Sequence, residues 1–107
     1  MTEPVIAITS FRPLPGRSTD VVDLLRPILA LVHAEPGCLL YALHASEDST
    51  MWLIEKWATE ADADRHGASS PALASLADKV SPLLEPDSLS LVEMRALPAG
   101  DPSKGSL

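Results

Sequence analysis

Apolar positions recur along this chain with two different periods. Val5-Ile6-Ala7-Ile8-Thr9-Ser10-Phe11 is short, β-branched and apolar, and it stops at Pro13-Leu14-Pro15-Gly16, which reads as a strand closed by a turn. From Ser18 the spacing changes. Val21, Leu24, Leu25, Ile28 and Leu31-Val32 fall at i, i+3, i+4 and i+7, the stripe of an amphipathic helix. Ser18 or Thr19 is expected to cap it, Asp20 and Asp23 suit its positive end, and Pro27 predicts a kink by removing the hydrogen bond to Asp23. Pro36-Gly37 ends the helix. Cys38 to Ala45 and Thr50 to Ala58 then read as two strands of a hairpin around Ser46-Glu47-Asp48-Ser49. Thr59 caps a second helix, with Asp62 at the capping-box position. Gly67 predicts a break, and Ser70-Pro71 a restart that runs to about Val80, because Pro82 and Pro86 forbid continuation. Ser88 to Leu97 reads as the last strand.

The order β-α-β-β-α-β is that of an α+β, ferredoxin-like fold: an antiparallel sheet with both helices on one face. In the second strand Cys38, Leu40 and Ala42 are expected to oppose Leu39, Tyr41 and Leu43. In the third, Met51, Leu53 and Trp57 oppose Trp52 and Ile54. Both faces are therefore apolar, whereas a sheet solvated on one side alternates apolar with polar. A second copy related by a twofold axis is the simplest cover for the face without helices, so a homodimer formed sheet to sheet is expected. The stretch PAGDPSKGSL at 98–107 lacks the apolar residues to offset its ordering entropy and reads as a flexible tail, leaving a folded domain over 4–97.

Composition narrows the function classes. The 107 residues, 46% apolar and 21% charged, fit one domain with one core. No apolar stretch is long enough to span a bilayer, and residues 1–10 lack a basic segment followed by an apolar one, so a cytoplasmic location is expected. Eight basic against fifteen acidic residues give a net charge of −7, and the basic ones are scattered, which argues against nucleic acid or an anionic membrane as partner. The lone Cys38 fits a reducing compartment and reads as a small buried apolar side chain. His33, His44, His66 and Cys38 show no metal-ligand spacing, and no Gly-rich phosphate loop or G-x-S-x-G elbow is present, so neither a metal nor another cofactor is expected.

Glu35-Pro36-Gly37-Cys38-Leu39-Leu40-Tyr41, Leu53-Ile54-Glu55-Lys56-Trp57, then Ala61-Asp62 and His66, together resemble the antibiotic biosynthesis monooxygenase family. These are small proteins of the dimeric α+β barrel superfamily, and the resemblance covers Val5 to Ala96. It implies a cleft between helices and sheet in each subunit. It also implies kinship with oxygenases that oxidise aromatic polyketides or quinols without metal or flavin, with haem-degrading relatives, and with members of no assigned activity. The family often carries His, or Trp in haem-degrading members, at the position of His66. This chain departs from the pattern in places. Many members have a second His after a Ser-Pro, where Ala72 follows Ser70-Pro71 here. The first strand has no Asn, and Leu76 and Ala77 stand where haem-degrading relatives supply a haem-ligating His, which disfavours haem degradation.

Four side chains are candidates for chemistry. His66 is suited to take a proton from an electron-rich substrate that then reduces O2, the alternative being a structural histidine at the broken helix. Glu55 shares a strand face with Trp57, and a buried carboxylate must be paired or have a raised pKa. It either orients His66 or an arginine, acts as base, or belongs to a structural ion pair. Trp57 either stacks on a flat aromatic substrate or fills the core. Tyr41 either donates to a substrate oxygen or packs at the dimer face. Trp52 is expected to face the partner subunit and His44 the solvent, while His33 complements a helix C-terminus. The expected function is a cofactor-independent monooxygenase acting on a small quinol-like or polyketide-like aromatic. The alternative is a non-catalytic dimer of the same fold that binds or senses a small molecule. A third reading is a dimeric module whose pocket is filled by Trp57 and Met51.

Overall fold

A computed structural model describes residues 3–107. Four strands, β1 (Val5–Phe11), β2 (Cys38–Ala45), β3 (Met51–Trp57) and β4 (Ser90–Met94), form an antiparallel sheet in the order β2-β3-β1-β4. Helix α1 (Ser18–His33) follows β1; α2 (Glu60–Ser69) and α3 (Pro71–Lys79) follow β3. This is the α+β, ferredoxin-like arrangement expected from the periodicity. A 3-10 turn at Ser81–Leu83, for which the periodicity gives no signal, carries the chain from α3 to β4.

Helix α1 buries Val21, Leu25, Ile28 and Val32 against Val5, Phe11, Leu53 and Trp57. Leu31 lies outside this stripe and is exposed. Neither Ser18 nor Thr19 caps the helix: Arg17 takes the N-cap position, because a turn closed by Arg17 N–H donating to the Leu14 carbonyl starts the helix earlier. The helix continues through Pro27, which sits on its exposed side together with Asp23, whose carbonyl water can satisfy.

Helix α2 runs through Gly67, where a break was expected, and ends at Ser69. The break falls at Ser70, whose extended backbone is what a residue preceding proline prefers. Thr59 and Ser70 cap α2 and α3 as expected, accepting from the backbone N–H of Asp62 and Leu73. Gly37 has φ +78°, and a Cβ there would lie 2.1 Å from Asp62 Oδ2. Glycine thus serves both the left-handed turn and the close approach of the first turn of α2.

A bulge between Cys38 and Leu40 corrects the expected strand facing. Cys38 pairs with Trp57, while Leu40 pairs with Lys56, so the two cysteine and leucine side chains do not share a face. The helix side carries Tyr41, Leu43, Leu53, Glu55 and Trp57. The opposite side carries Leu40, Ala42, Ile54, Trp52, Ile8 and Val92 in register across the strands. Trp52 and Val92 on that side are exposed. Strand β4 is shorter than Ser88 to Leu97. Its ladder ends at the Ile6–Met94 pair, and the Ser88 hydroxyl instead accepts from the Arg12 backbone N–H. Arg12 also joins the hairpin loop to the segment before β4, with contacts of 3.0 Å to Asp48 and 3.1 Å to Glu85. Residues 98–107 hold no helix or strand, and the Leu107 carbonyl accepts from Lys56 Nζ. Among the described residues, no helix is long and apolar enough to cross a membrane.

Candidate active site

Strand register sets the floor of the site. Glu93 of β4, Ala7 of β1, Glu55 of β3 and Tyr41 of β2 form one cross-strand row on the helix side. Ala7 is the smallest of the four and stands between the two carboxylates. Above this row lies a cavity of about 590 Å3, roofed by α2, α3 and the segment leading into β4. Its walls are largely apolar, with Phe11, Leu53, Leu73 and Leu76 among them. A pocket of this size and lining suits a small, mostly apolar molecule.

His66 enters from α2 and, among the described residues, is one of three buried polar residues, with Glu55 and Ser70. Its Nδ1 lies 3.0 Å from Glu35 Oε1, and the other oxygen of Glu35 accepts from Ser70 Oγ at 2.8 Å. A carboxylate can only accept, so Nδ1 carries the proton and the lone pair of the neutral ring sits on Nε2. Nε2 stands 3.9 Å from Glu55 Oε1, too far for a direct hydrogen bond and close enough for electrostatic coupling. The Glu55 carboxylate accepts from Trp57 Nε1 at 3.1 Å and from Thr9 Oγ1 at 2.9 Å. Burial pushes its pKa up, against the lowering pull of those two bonds and of His66. Trp57 is stacked on the imidazole with ring centroids 4.5 Å apart, and Tyr41 meets it edge-on at 5.4 Å. Burial and the two nearby carboxylates push the Tyr41 phenol far above its ordinary pKa, so it is a neutral hydroxyl.

The fold thus brings His66, Glu55, Trp57 and Tyr41 together on the helix side of the sheet. Trp57 is 1% exposed, with its face occupied by His66. Tyr41 lies on the opposite side of the sheet from the face expected to dimerise. Among the described residues, no arginine bonds Glu55; its partners are Thr9, Trp57 and, at longer range, His66. His33 donates to the Tyr41 carbonyl at 2.8 Å, His44 is exposed, and burial raises the Cys38 thiol pKa. The sequence pattern marks Glu35 only as the start of the turn motif and Ser70 only as a cap; their place beside His66 is a finding of the structure. The available signal was the polar residue immediately before Pro36-Gly37, in a turn whose left-handed glycine packs against α2.

The family model for antibiotic biosynthesis monooxygenase matches residues 4–77. The chain belongs to that family. The span of this family match holds all of the His66 cluster: Thr9, Glu35, Tyr41, Glu55, Trp57 and Ser70. No curated protein matches the chain. Among solved structures, Rv0793 from Mycobacterium tuberculosis is 26% identical over 92% of this chain and 100% of its own, with a TM-score of 0.79. PA3566 from Pseudomonas aeruginosa is 25% identical over 91% and 97%, with a TM-score of 0.77. A structure described as an antibiotic biosynthesis monooxygenase is also 25% identical, over 88% and 99%, at a TM-score of 0.77. Among the described residues, no group of three or more His, Cys, Asp or Glu is arranged to hold a metal ion.

Proposed function

We propose that this family member is a monooxygenase that oxidises a small, electron-rich aromatic with O2, His66 serving as the base. The observation that carries this reading is the imidazole anchored by Glu35 through Nδ1, with its free nitrogen beside Glu55 at the wall of an apolar cavity. Kinship with the family, and with a 25% identical neighbour described as an antibiotic biosynthesis monooxygenase, supports the reaction class.

The substrate is a quinol-like or anthrone-like ring system whose hydroxyl, or enol, is acidic enough to ionise against an imidazole. Nε2 takes that proton, and Glu35 stabilises the resulting imidazolium. The electron-rich anion passes one electron to O2, and the radical pair joins as a peroxide at the ring carbon. His66 returns its proton to the peroxide. For a ring methylene, loss of water with cleavage of the remaining C–H and the O–O bond leaves a carbonyl: one oxygen atom enters the product and the other leaves in water. No metal or organic cofactor takes part. Tyr41 supplies a neutral hydroxyl to the substrate side, and Glu55 tunes the free nitrogen of His66.

Oxygen uptake tests this directly. Chelator-treated protein with 1,4-naphthalenediol or anthrone is expected to consume O2 above the uncatalysed rate, and His66→Ala to lose about a hundredfold or more of that excess. Undiminished uptake by the variant removes His66 from the mechanism.

A binding or sensing role is the second reading, favoured by Ala72 where many family members carry a second His. A ligand that raises Tm and is recovered unchanged in air supports it. The open cavity removes the support for a module whose pocket is filled by Trp57 and Met51. Either functional reading includes a homodimer through the face that bears Leu40, Ile54 and Val92, because soluble monomers rarely leave so large an apolar surface bare. The flexibility of 98–107 belongs to the same proposal.

A further inference from the structure

The charged groups around the cavity are nearly all of one sign. Glu55 lies in its floor, and Glu85, Asp87 and Glu93 line the same cavity from the segment before β4 and from β4 itself. Among the described residues, no lysine or arginine lines it, and His66 is the only basic side chain that does. Arg12 bonds Glu85 at 3.1 Å and so offsets that charge. Among the described residues, Asp87 and Glu93 have neither an ion-pair nor a side-chain hydrogen-bond partner, and both are exposed. The imidazole is already committed to Glu35 at 3.0 Å. A second observation points to a ligand rather than to a merely acidic surface. Tyr41 is 4% exposed and lines the cavity, yet its hydroxyl has no hydrogen-bond partner among the described residues. The hydroxyl is therefore left open to the cavity, placed to bond a neutral oxygen or nitrogen of a bound molecule.

We propose that this cavity takes aromatic molecules bearing no negative charge, neutral or cationic, and rejects anionic ones, with Asp87 and Glu93 as the specificity-determining residues. The inference rests on the aromatic-substrate reading above and narrows it. An entering sulfonate or carboxylate meets unpaired carboxylates on two sides and no cation able to receive it, and like-charge juxtaposition is strongly unfavourable where water is partly excluded. A neutral phenol enters without that penalty and acquires its negative charge only beside His66, as the imidazole gains a compensating positive one. A cation placed near Asp87 and Glu93 gains attraction. Because these two side chains are exposed, the discrimination weakens as salt screens them.

The test is a charge series on one ring: 1-naphthol, 1-naphthol-4-sulfonate and the 4-trimethylammoniomethyl counterpart, with Kd measured by calorimetry at low and high salt. The sulfonate is expected to bind the native protein at least tenfold more weakly than 1-naphthol, and the cation at least as tightly. Asp87→Asn combined with Glu93→Gln, both exposed, should improve sulfonate binding severalfold relative to 1-naphthol. Equal binding of sulfonate and 1-naphthol, or an unchanged ratio in the double variant, overturns the inference alone. Failure of all three rings to bind overturns the aromatic reading and the inference with it.

Discussion

His66 and Glu35 lie 31 positions apart in the chain and 3.0 Å apart in space. One carboxylate therefore orients the imidazole and, through its second oxygen, holds Ser70 at the junction of α2 and α3. Glu35→Gln keeps the shape and removes the charge. A charge-assisted hydrogen bond exceeds a neutral one by about 1–1.5 kcal/mol, or about tenfold in rate if it is felt only once the ring is protonated. The expected result is kcat for oxygen uptake about tenfold lower, with KM little changed. A rise in KM at constant kcat would show instead that Glu35 acts in binding.

Burial raises the Glu55 pKa above its ordinary 4.5, which gives a signed dependence of stability on pH. The folded protein holds this proton to higher pH than the unfolded chain does. The corresponding stability is full below the ordinary value and is lost as pH rises through the folded one. Thermal melts of the native protein and of Glu55→Gln between pH 4 and 8 should show native Tm falling relative to the variant as pH rises. A flat or opposite trend contradicts the buried, desolvated carboxylate.

Gly37→Ala forces a Cβ onto a backbone of φ +78° and against the Asp62 side chain. The expected cost is about 1–2 kcal/mol, read as a lowered denaturant midpoint with an unchanged m-value. Because the same turn carries Glu35, oxygen uptake should fall as well.

The sheet face opposite the helices provides a test of assembly. Native protein is expected to sediment as a dimer at micromolar concentration. Leu40→Glu sets a charge, desolvated, opposite its own symmetry copy, and should cause dissociation with aggregation or unfolding. A folded native monomer at that concentration contradicts the sheet-to-sheet dimer.

What was legible in the sequence was local. The caps at Thr59 and Ser70 and the alternation of Met51 to Trp57 depend on residues a few positions apart, and they form as read. What was not legible depends on distant partners or on backbone detail. The bulge at Cys38 leaves no mark in side-chain periodicity, and it moves Cys38 to the Trp57 side. Gly67 was given the break that the proline after Ser70 enforces. Of the candidate site, His66, Glu55, Trp57 and Tyr41 were legible as a set, and folding brings them together. Glu35 was hidden, because a glutamate in a turn takes its meaning from the imidazole that folding brings against it.

Proton transfer from the bound aromatic to His66, as proposed, would change the absorbance of bound substrate under anaerobic conditions. With O2 removed, mixing 1,4-naphthalenediol with excess native protein near neutral pH should produce the red-shifted band of the bound phenolate. His66→Ala should bind the same molecule and leave its spectrum that of the neutral diol. A phenolate band of equal size in the variant, or bound diol that stays neutral in the native protein, would exclude His66 as the base.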